Sequence, residues 1–221
     1  MADFNGADAY FASNGAHEWE DLAGVLFGIL PHFQASDERG KVGTPIFDPK
    51  GTNSALNAAA SAAGWRVIPV PAELTMFGND WDAGKGDTLA EWQFSNYPFL
   101  WNNVIRTQAV VAGQVPLQGV GATQALVVVT KSGLFPASQS TLYFEQALAQ
   151  LTAVFQYGAF DLPVRLVGLT IPDGVREIDA VWSEYGGRYA REPVGQREEV
   201  RMSVAWGRAN QYGQPKARFA R

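Results

Sequence analysis

Asp82-Ala-Gly-Lys-Gly-Asp-Thr-Leu-Ala-Glu-Trp-Gln-Phe94 is the stretch on which the reading of this chain turns. Asp82 to Asp87 carry turn-forming residue types between two candidate strands. Thr88 to Phe94 then alternates in the manner of a β-strand, so Leu89, Glu91 and Gln93 share one face. The spacing D-x8-E-x-Q sets Asp82, at the start of the turn, against Glu91 on the returning strand. Two hard oxygen ligands brought together in this way suit magnesium, which takes one or two carboxylates and leaves its other positions to water and phosphate oxygens. Such an ion serves phosphodiester hydrolysis by neutralising phosphoryl charge and lowering the pKa of an attacking water. In a chain with 22 acidic residues the spacing also arises by chance, and the plain alternative is a hairpin end with solvated carboxylates. Glu91 argues against that alternative, because it lies between Ala90 and Trp92 in an otherwise apolar strand where an unpaired charge is costly.

Working outward, His17 to Leu30 has helical apolar spacing (Trp19, Leu22, Ala23, Leu26, Ile29, Leu30) and Pro31 as its stop. Gln34 to Asn53 is rich in Gly, Pro, Asp and Lys and reads as an ordered loop, after which Asn53 caps a short Ala-rich helix ended by Gly64. Trp65 to Val70 reads as an edge strand, since Pro69 and Pro71 cannot donate to a ladder. A turn and helix follow over Asn96 to Thr107. Ala125 to Val129 and Val164 to Leu169 are apolar runs of the kind found in buried central strands. Between them Ser140 to Tyr157 predicts a helix with Phe144, Leu148, Leu151 and Phe155 on one side. Beyond Pro172 short alternating runs (Val200, Met202, Val204, Trp206) predict a β-rich lobe and then a polar, basic tail.

The fold class that follows is α/β, a mixed central sheet flanked by helices with the metal site at its edge. Residues 1–171 form the core, and 172–221 the added β-rich lobe and basic tail. With 221 residues and 47% hydrophobic content the chain can bury a substantial core. No apolar run is long enough to span a membrane and no basic-then-apolar leader opens the sequence, so the expectation is a soluble, cytoplasmic protein. Zero cysteines exclude disulfides, thiolate zinc sites and thiol nucleophiles. The two histidines, His17 and His32, flank the first helix and read as surface or helix-end residues, which leaves little scope for histidine-based catalysis. Net charge is −5, yet residues 185–221 hold 8 Lys+Arg against 3 Asp+Glu, a basic segment on an acidic body that hints at a nucleic-acid partner.

The same stretch continues as Glu91-Trp-Gln-Phe-Ser-Asn-Tyr-Pro-Phe-Leu100, with Asn102, Asn103 and Arg106 after it. In this it closely resembles the BglII restriction endonucleases of the PD-(D/E)xK nuclease superfamily. The resemblance extends to Ala35-Ser-Asp37 with Lys41-Val-Gly43, Ile46-Phe-Asp-Pro49 with Gly51-Thr-Asn53, and Phe135-Pro-Ala-Ser138. It also takes in Leu142-Tyr143 with Glu145-Gln-Ala147, Arg165-Leu-Val-Gly168, and Arg188-Tyr189 with Arg191. These blocks run in order across about residues 32 to 191; the two ends match poorly.

The resemblance implies a Mg2+-dependent type II restriction endonuclease, acting as a homodimer on a palindromic double-stranded DNA site with a GATC core. It leaves 5′-phosphate and 3′-hydroxyl ends, and a companion methyltransferase acts on the same site without a stable complex. Asp82, Glu91 and Gln93 are the implied catalytic residues, and Asp82, Glu91 and the backbone carbonyl of Trp92 the implied metal ligands. Gln93 stands where most of the superfamily has Lys, as in the BglII group. An amide cannot take a proton at neutral pH, so Gln93 can position a water but cannot be its base. Lys85, the nearest lysine in sequence, is either a solvated turn residue or a phosphate contact. The implied DNA-binding residues are Ser95, Asn96, Gln139, Ser140, Tyr189 and Arg191, with Arg106 at phosphate. Asn96 and Ser140 are equally readable as turn or cap residues, and Tyr189 as a strand aromatic. Gln139 replaces the family's Asn, which leaves the outer base pair open to AGATCT, RGATCY or another flank; AGATCT is favoured because most of the surrounding residues match. Two rivals remain: a repair nuclease on the same fold that reads DNA shape, and a DNA-binding protein with lapsed catalysis.

Overall fold

The computed structural model describes residues 1–138, 141–187 and 190–221. Strand β1 (Ala2–Phe4) leads into helices α1 (Ala7–Phe11) and α2 (Ala16–Gly28), then β2 (His32–Ala35) and β3 (Pro45–Phe47). Helix α3 (Pro49–Ala62), β4 (Arg66–Pro69), a 3-10 turn (Ala72–Phe77), β5 (Asp80–Lys85) and β6 (Thr88–Trp92) follow. The rest is α4 (Pro98–Gly113), β7 (Ala125–Lys131), α5 (Phe144–Phe155), β8 (Val164–Leu169), β9 (Glu177–Ser183), β10 (Glu198–Ala209) and β11 (Pro215–Ala220). The fold is α/β, with two mixed sheets flanked by helices.

The first sheet has the order β1-β8-β7-β6-β5-β4, parallel at β6–β7 and β7–β8 and antiparallel elsewhere. Every residue of β7 is buried, as its unbroken apolar run requires of a strand covered on both faces. One face packs on α4 and α5 through Leu89, Leu126, Val128, Leu100, Val104 and Leu151. The other meets the second sheet, order β11-β10-β9-β2-β3, through Trp92, Val127, Val129, Phe33, Trp182 and Phe219. The segment Ser132–Ala137 runs between the free edges of that second sheet. Phe47 N of β3 donates to Pro136 O at 2.7 Å and Ala217 N of β11 donates to Leu134 O at 3.0 Å. Phe135 from this segment stacks on Phe219 at 5.9 Å.

β4 is an edge strand, as its prolines require, and α2, α4 and β7 lie where the sequence places them. Elsewhere the structure differs from the sequence reading. The loop expected over 34–53 contains β3 and the start of α3. The helix is capped not by Asn53 but by Asp48, whose Oδ1 accepts from Lys50 N at 3.0 Å with Pro49 in the first helical position. The turn after Asp82 is confined to Gly86 and Asp87, because β5 continues to Lys85 with glycine and alanine inside it; Gly86 supplies the positive φ. Helix α5 begins at Phe144, not at Ser140. The basic C-terminal stretch is no tail: β11 pairs with β10 and buries Ala217 and Phe219 on alternate positions. His32 is 5% exposed, not a surface histidine, and burial pushes its pKa down to about 4.

Candidate active site

The ladder between β5 and β6 pairs Lys85 with Thr88, Gly84 with Leu89 and Ala83 with Ala90, and goes no further. At the point where the strands part, the Asp82 carboxylate takes the place of a main-chain partner, its Oδ2 accepting from Trp92 N at 2.8 Å. The site therefore sits not on a sheet edge strand but at the end of β6, an interior strand. Glu91 shares with Leu89 the face turned toward α4 and is 5% exposed. Its Oε1 accepts from an Arg106 guanidinium nitrogen. Arg106, from the buried side of α4, also donates to Asp80 O at 2.7 Å and Phe77 O at 3.3 Å and lies 4.9 Å from the Trp81 ring. It is 3% exposed, so the anion nearest to hand for the residue expected at phosphate is Glu91.

Burial raises the Asp82 carboxyl, and the Trp92 N–H bond partly offsets it. Glu91 is held well above the usual carboxylate range, by burial first and by the Asp82 charge second, with Arg106 pulling the other way. Each carboxyl thus carries a penalty for ionising that a cation between them removes. Among the described residues no group of three or more His, Cys, Asp or Glu is arranged to hold a metal ion. Two carboxylates with the rest supplied by main-chain, water or phosphate oxygens is the donor set magnesium accepts; the residues present fit that ion.

Gln93 follows directly, its N–H bonded to Val129 O at 2.7 Å. Its side chain is held at both ends: Oε1 accepts from Asn103 Nδ2 at 3.3 Å and Nε2 donates to Asn96 O at 3.0 Å. Ser95 and Asn96 are exposed just beyond the strand. Lys85 is half-buried and not free, since it pairs with Asp21 of α2 and donates to Ala63 O at 2.9 Å. Arg191 is exposed in the loop from β9 to β10, which is fastened to the start of α3 by Tyr185 Oη donating to Asp48 Oδ2 at 2.9 Å and by Lys50 Nζ donating to Ala190 O. Gln139, Ser140 and Tyr189 lie outside the described residues.

Asn103 and Lys131 were given no role in the sequence, and Arg106 was given phosphate in place of Glu91. Asn103 and Arg106 sit three apart on one face of α4, a spacing that marks them as a pair once the helix is placed. Lys131, wholly buried at the end of β7, was signalled only by a charge closing an apolar run.

Residues 1–169 match the family described as restriction endonuclease BglII/BglIII. The type II restriction enzyme BglII of Bacillus subtilis is 38% identical over 205 residues, covering 92% of this chain and 90% of that protein. The crystal structure of BglII complexed with a DNA 16-mer superposes with a TM-score of 0.89 at 35% identity, over 99% of this chain and 97% of that one. Free BglII superposes with a TM-score of 0.70 at 31% identity, over 98% and 97%. Sequence and fold agree over nearly the whole length, and the chain belongs to the BglII/BglIII family of restriction endonucleases, which are site-specific deoxyribonucleases.

Proposed function

We propose that this chain, as a homodimer in the cytoplasm of a prokaryotic cell, cuts both strands of double-stranded DNA at AGATCT with Mg2+. The observation that carries the reading is the Asp82–Glu91 pair, two desolvated carboxyls held where β5 and β6 part. A divalent ion bound there supplies charge neutralisation at the phosphoryl group and a more acidic water. Asp82 is oriented for this by Trp92 N–H, and Glu91 by Arg106. The Trp92 carbonyl is the proposed third protein ligand. Gln93, held by Asn103 and Asn96, orients the attacking water and leaves deprotonation to other groups.

Ser95, Asn96, Gln139, Ser140, Tyr189 and Arg191 are the proposed base and backbone contacts, Arg for guanine and Asn or Gln for adenine. Arg106, the residue that the resemblance sets at phosphate, steadies Glu91. Residues 1–171 are proposed as the nuclease core and 172–221 as most of the DNA-facing lobe, which β2 and β3 complete. Two-fold symmetry of the dimer matches the two-fold symmetry of the palindrome. A methyltransferase acting on the same site is the expected companion.

Digestion of a plasmid library with magnesium, followed by sequencing of the cut ends, tests the reading. Cuts confined to AGATCT and lost in Asp82→Asn and Glu91→Ala, with binding retained, support it. Undirected nicking points to a shape-reading nuclease, and specific binding without cleavage under any divalent ion to a lapsed enzyme; either overturns it.

A further inference from the structure

Lys131 closes β7 and is completely enclosed, although it carries an ammonium group. Its Nζ donates to Phe94 O at 2.8 Å, to Leu142 O at 3.1 Å and to Thr141 Oγ1. The Phe47 and Tyr143 rings lie 5.1 Å from it, and no carboxylate among the described residues answers its charge. Burial accordingly pushes its pKa down to about 7. A hydrophobic side chain of similar length would fill this space without the desolvation cost. What the lysine adds is three directional bonds that end on two different segments.

Those segments are the exit of the strand bearing Glu91 and the start of the chain that leads into α5. They meet at further bonds: Thr141 Oγ1 donates to Phe94 O at 2.8 Å and Leu142 N donates to Ser95 O at 2.8 Å, while Thr130 Oγ1 of β7, beside Lys131, donates to Leu142 O at 3.1 Å. Phe94 follows Gln93 directly and stands three residues past Glu91. On the other side, Thr141 follows directly on Gln139 and Ser140, two of the proposed base readers. A displacement on either side therefore reaches the other through the Phe94 carbonyl, with the Lys131 amine as the shared donor. We propose that Lys131 is a positioning residue that couples the base-reading segment to the carboxylate-bearing strand, so that a wrong base at the one misplaces the other. The proposal rests on the functional reading above and deepens it.

The test compares wild type, Lys131→Met, Thr141→Val and Thr141→Ser on the duplex that wild-type digestion of a plasmid library defines, and on duplexes changed at single base pairs. Single-turnover cleavage is measured with magnesium and affinity with calcium. Lys131→Met is expected to lower the ratio of cognate to altered-site cleavage by about tenfold or more while cognate affinity stays within about threefold. Thr141→Val should move the ratio in the same direction by a smaller factor, and Thr141→Ser, which keeps the hydroxyl, should preserve it. A Lys131→Met protein that is less stable or uniformly slower yet keeps the wild-type ratio overturns the coupling. Should Lys131→Met not fold, the Thr141→Val and Thr141→Ser pair decides alone: equal ratios in the two overturn it. A wild type that cuts without site preference removes the functional reading itself, and the coupling with it.

Discussion

Tyr185 and Asp48, separated by 137 positions in the chain, meet through a 2.9 Å hydrogen bond between the phenol and the carboxylate that caps α3. One fully buried acid thus starts a helix and ties down the loop that carries Arg191. Burial and the adjacent Asp48 charge push the Tyr185 hydroxyl up to about 12, so it stays a donor at any physiological pH. Tyr185→Phe is expected to lower stability by about 1 kcal/mol, and Asp48→Ala, which removes the cap as well, by about 3 kcal/mol. Urea unfolding checks both, and equal losses would show that the cap contributes nothing beyond the loop tie.

Glu91→Gln and Asp82→Asn are each expected to reduce cleavage by about a thousandfold or more, since either removes half of the carboxylate pair. Glu91→Gln also leaves the Arg106 guanidinium buried beside a neutral amide, which costs on the order of 3 kcal/mol. Asp82→Asn leaves Arg106 paired and should be the milder in thermal melts. Comparable melting losses in the two would argue against the Glu91–Arg106 pairing.

The raised carboxyls give metal use a pH dependence. Both hold protons to higher pH than ordinary carboxylates, and an ion must displace those protons to bind. The magnesium concentration for half-maximal cleavage should therefore fall as pH rises. Titrations of cleavage against magnesium at several pH values test this, and a requirement that is flat or climbs with pH would contradict it.

His32 gives stability its own acid limb. Its folded pKa of about 4 is below the unfolded value near 6.5, so the unfolded chain binds more protons between the two. The stability this neutral histidine permits is fully present above about pH 6.5 and drains away as pH falls toward 4. The loss amounts to at most about 3 kcal/mol. His32→Phe should flatten that limb in denaturation curves taken across the interval.

Arg165 is fixed by Asp3, at 2.7 Å and 3.1 Å, and lies 4.4 Å from both the Phe11 and Trp19 rings. Asp3→Asn should destabilise the protein by about 2 kcal/mol and loosen β1 from β8, which hydrogen exchange at Val164 and Leu166 would report.

What could be read in the sequence follows the range of the interaction. β7 and α4 announce themselves by apolar pattern, and Glu91 by a charge in an apolar strand, because those signals are local. The Asp82–Glu91 pair was visible for the same reason, a hairpin joining neighbours. Asp48 as a cap was hidden by the composition of 34–53, where turn-forming residues masked the three-residue β3. Arg106 looked like a DNA contact because nothing in one sequence shows which face of α4 is buried against β6. β11 looked like a tail because four of its six residues are exposed or partly exposed, and only its neighbour β10 makes sense of Phe219. β1 pairs with β8 across some 160 residues, a distance no periodicity spans.

The strap from Ser132 to Ala137 also has a bearing on time. It bonds to β3, made early, and to β11, made last, so the second sheet has no closed form until the final strand exists. Its inner pairings join β2 to β9 across about 150 residues, the kind of contact that is slow to find. A chain still being synthesised can assemble the carboxylate hairpin of β5 and β6 long before it can close that sheet. The loop bearing Arg191 leaves β9 for β10 inside that same sheet, and so it takes its place only after the two carboxylates have been brought together.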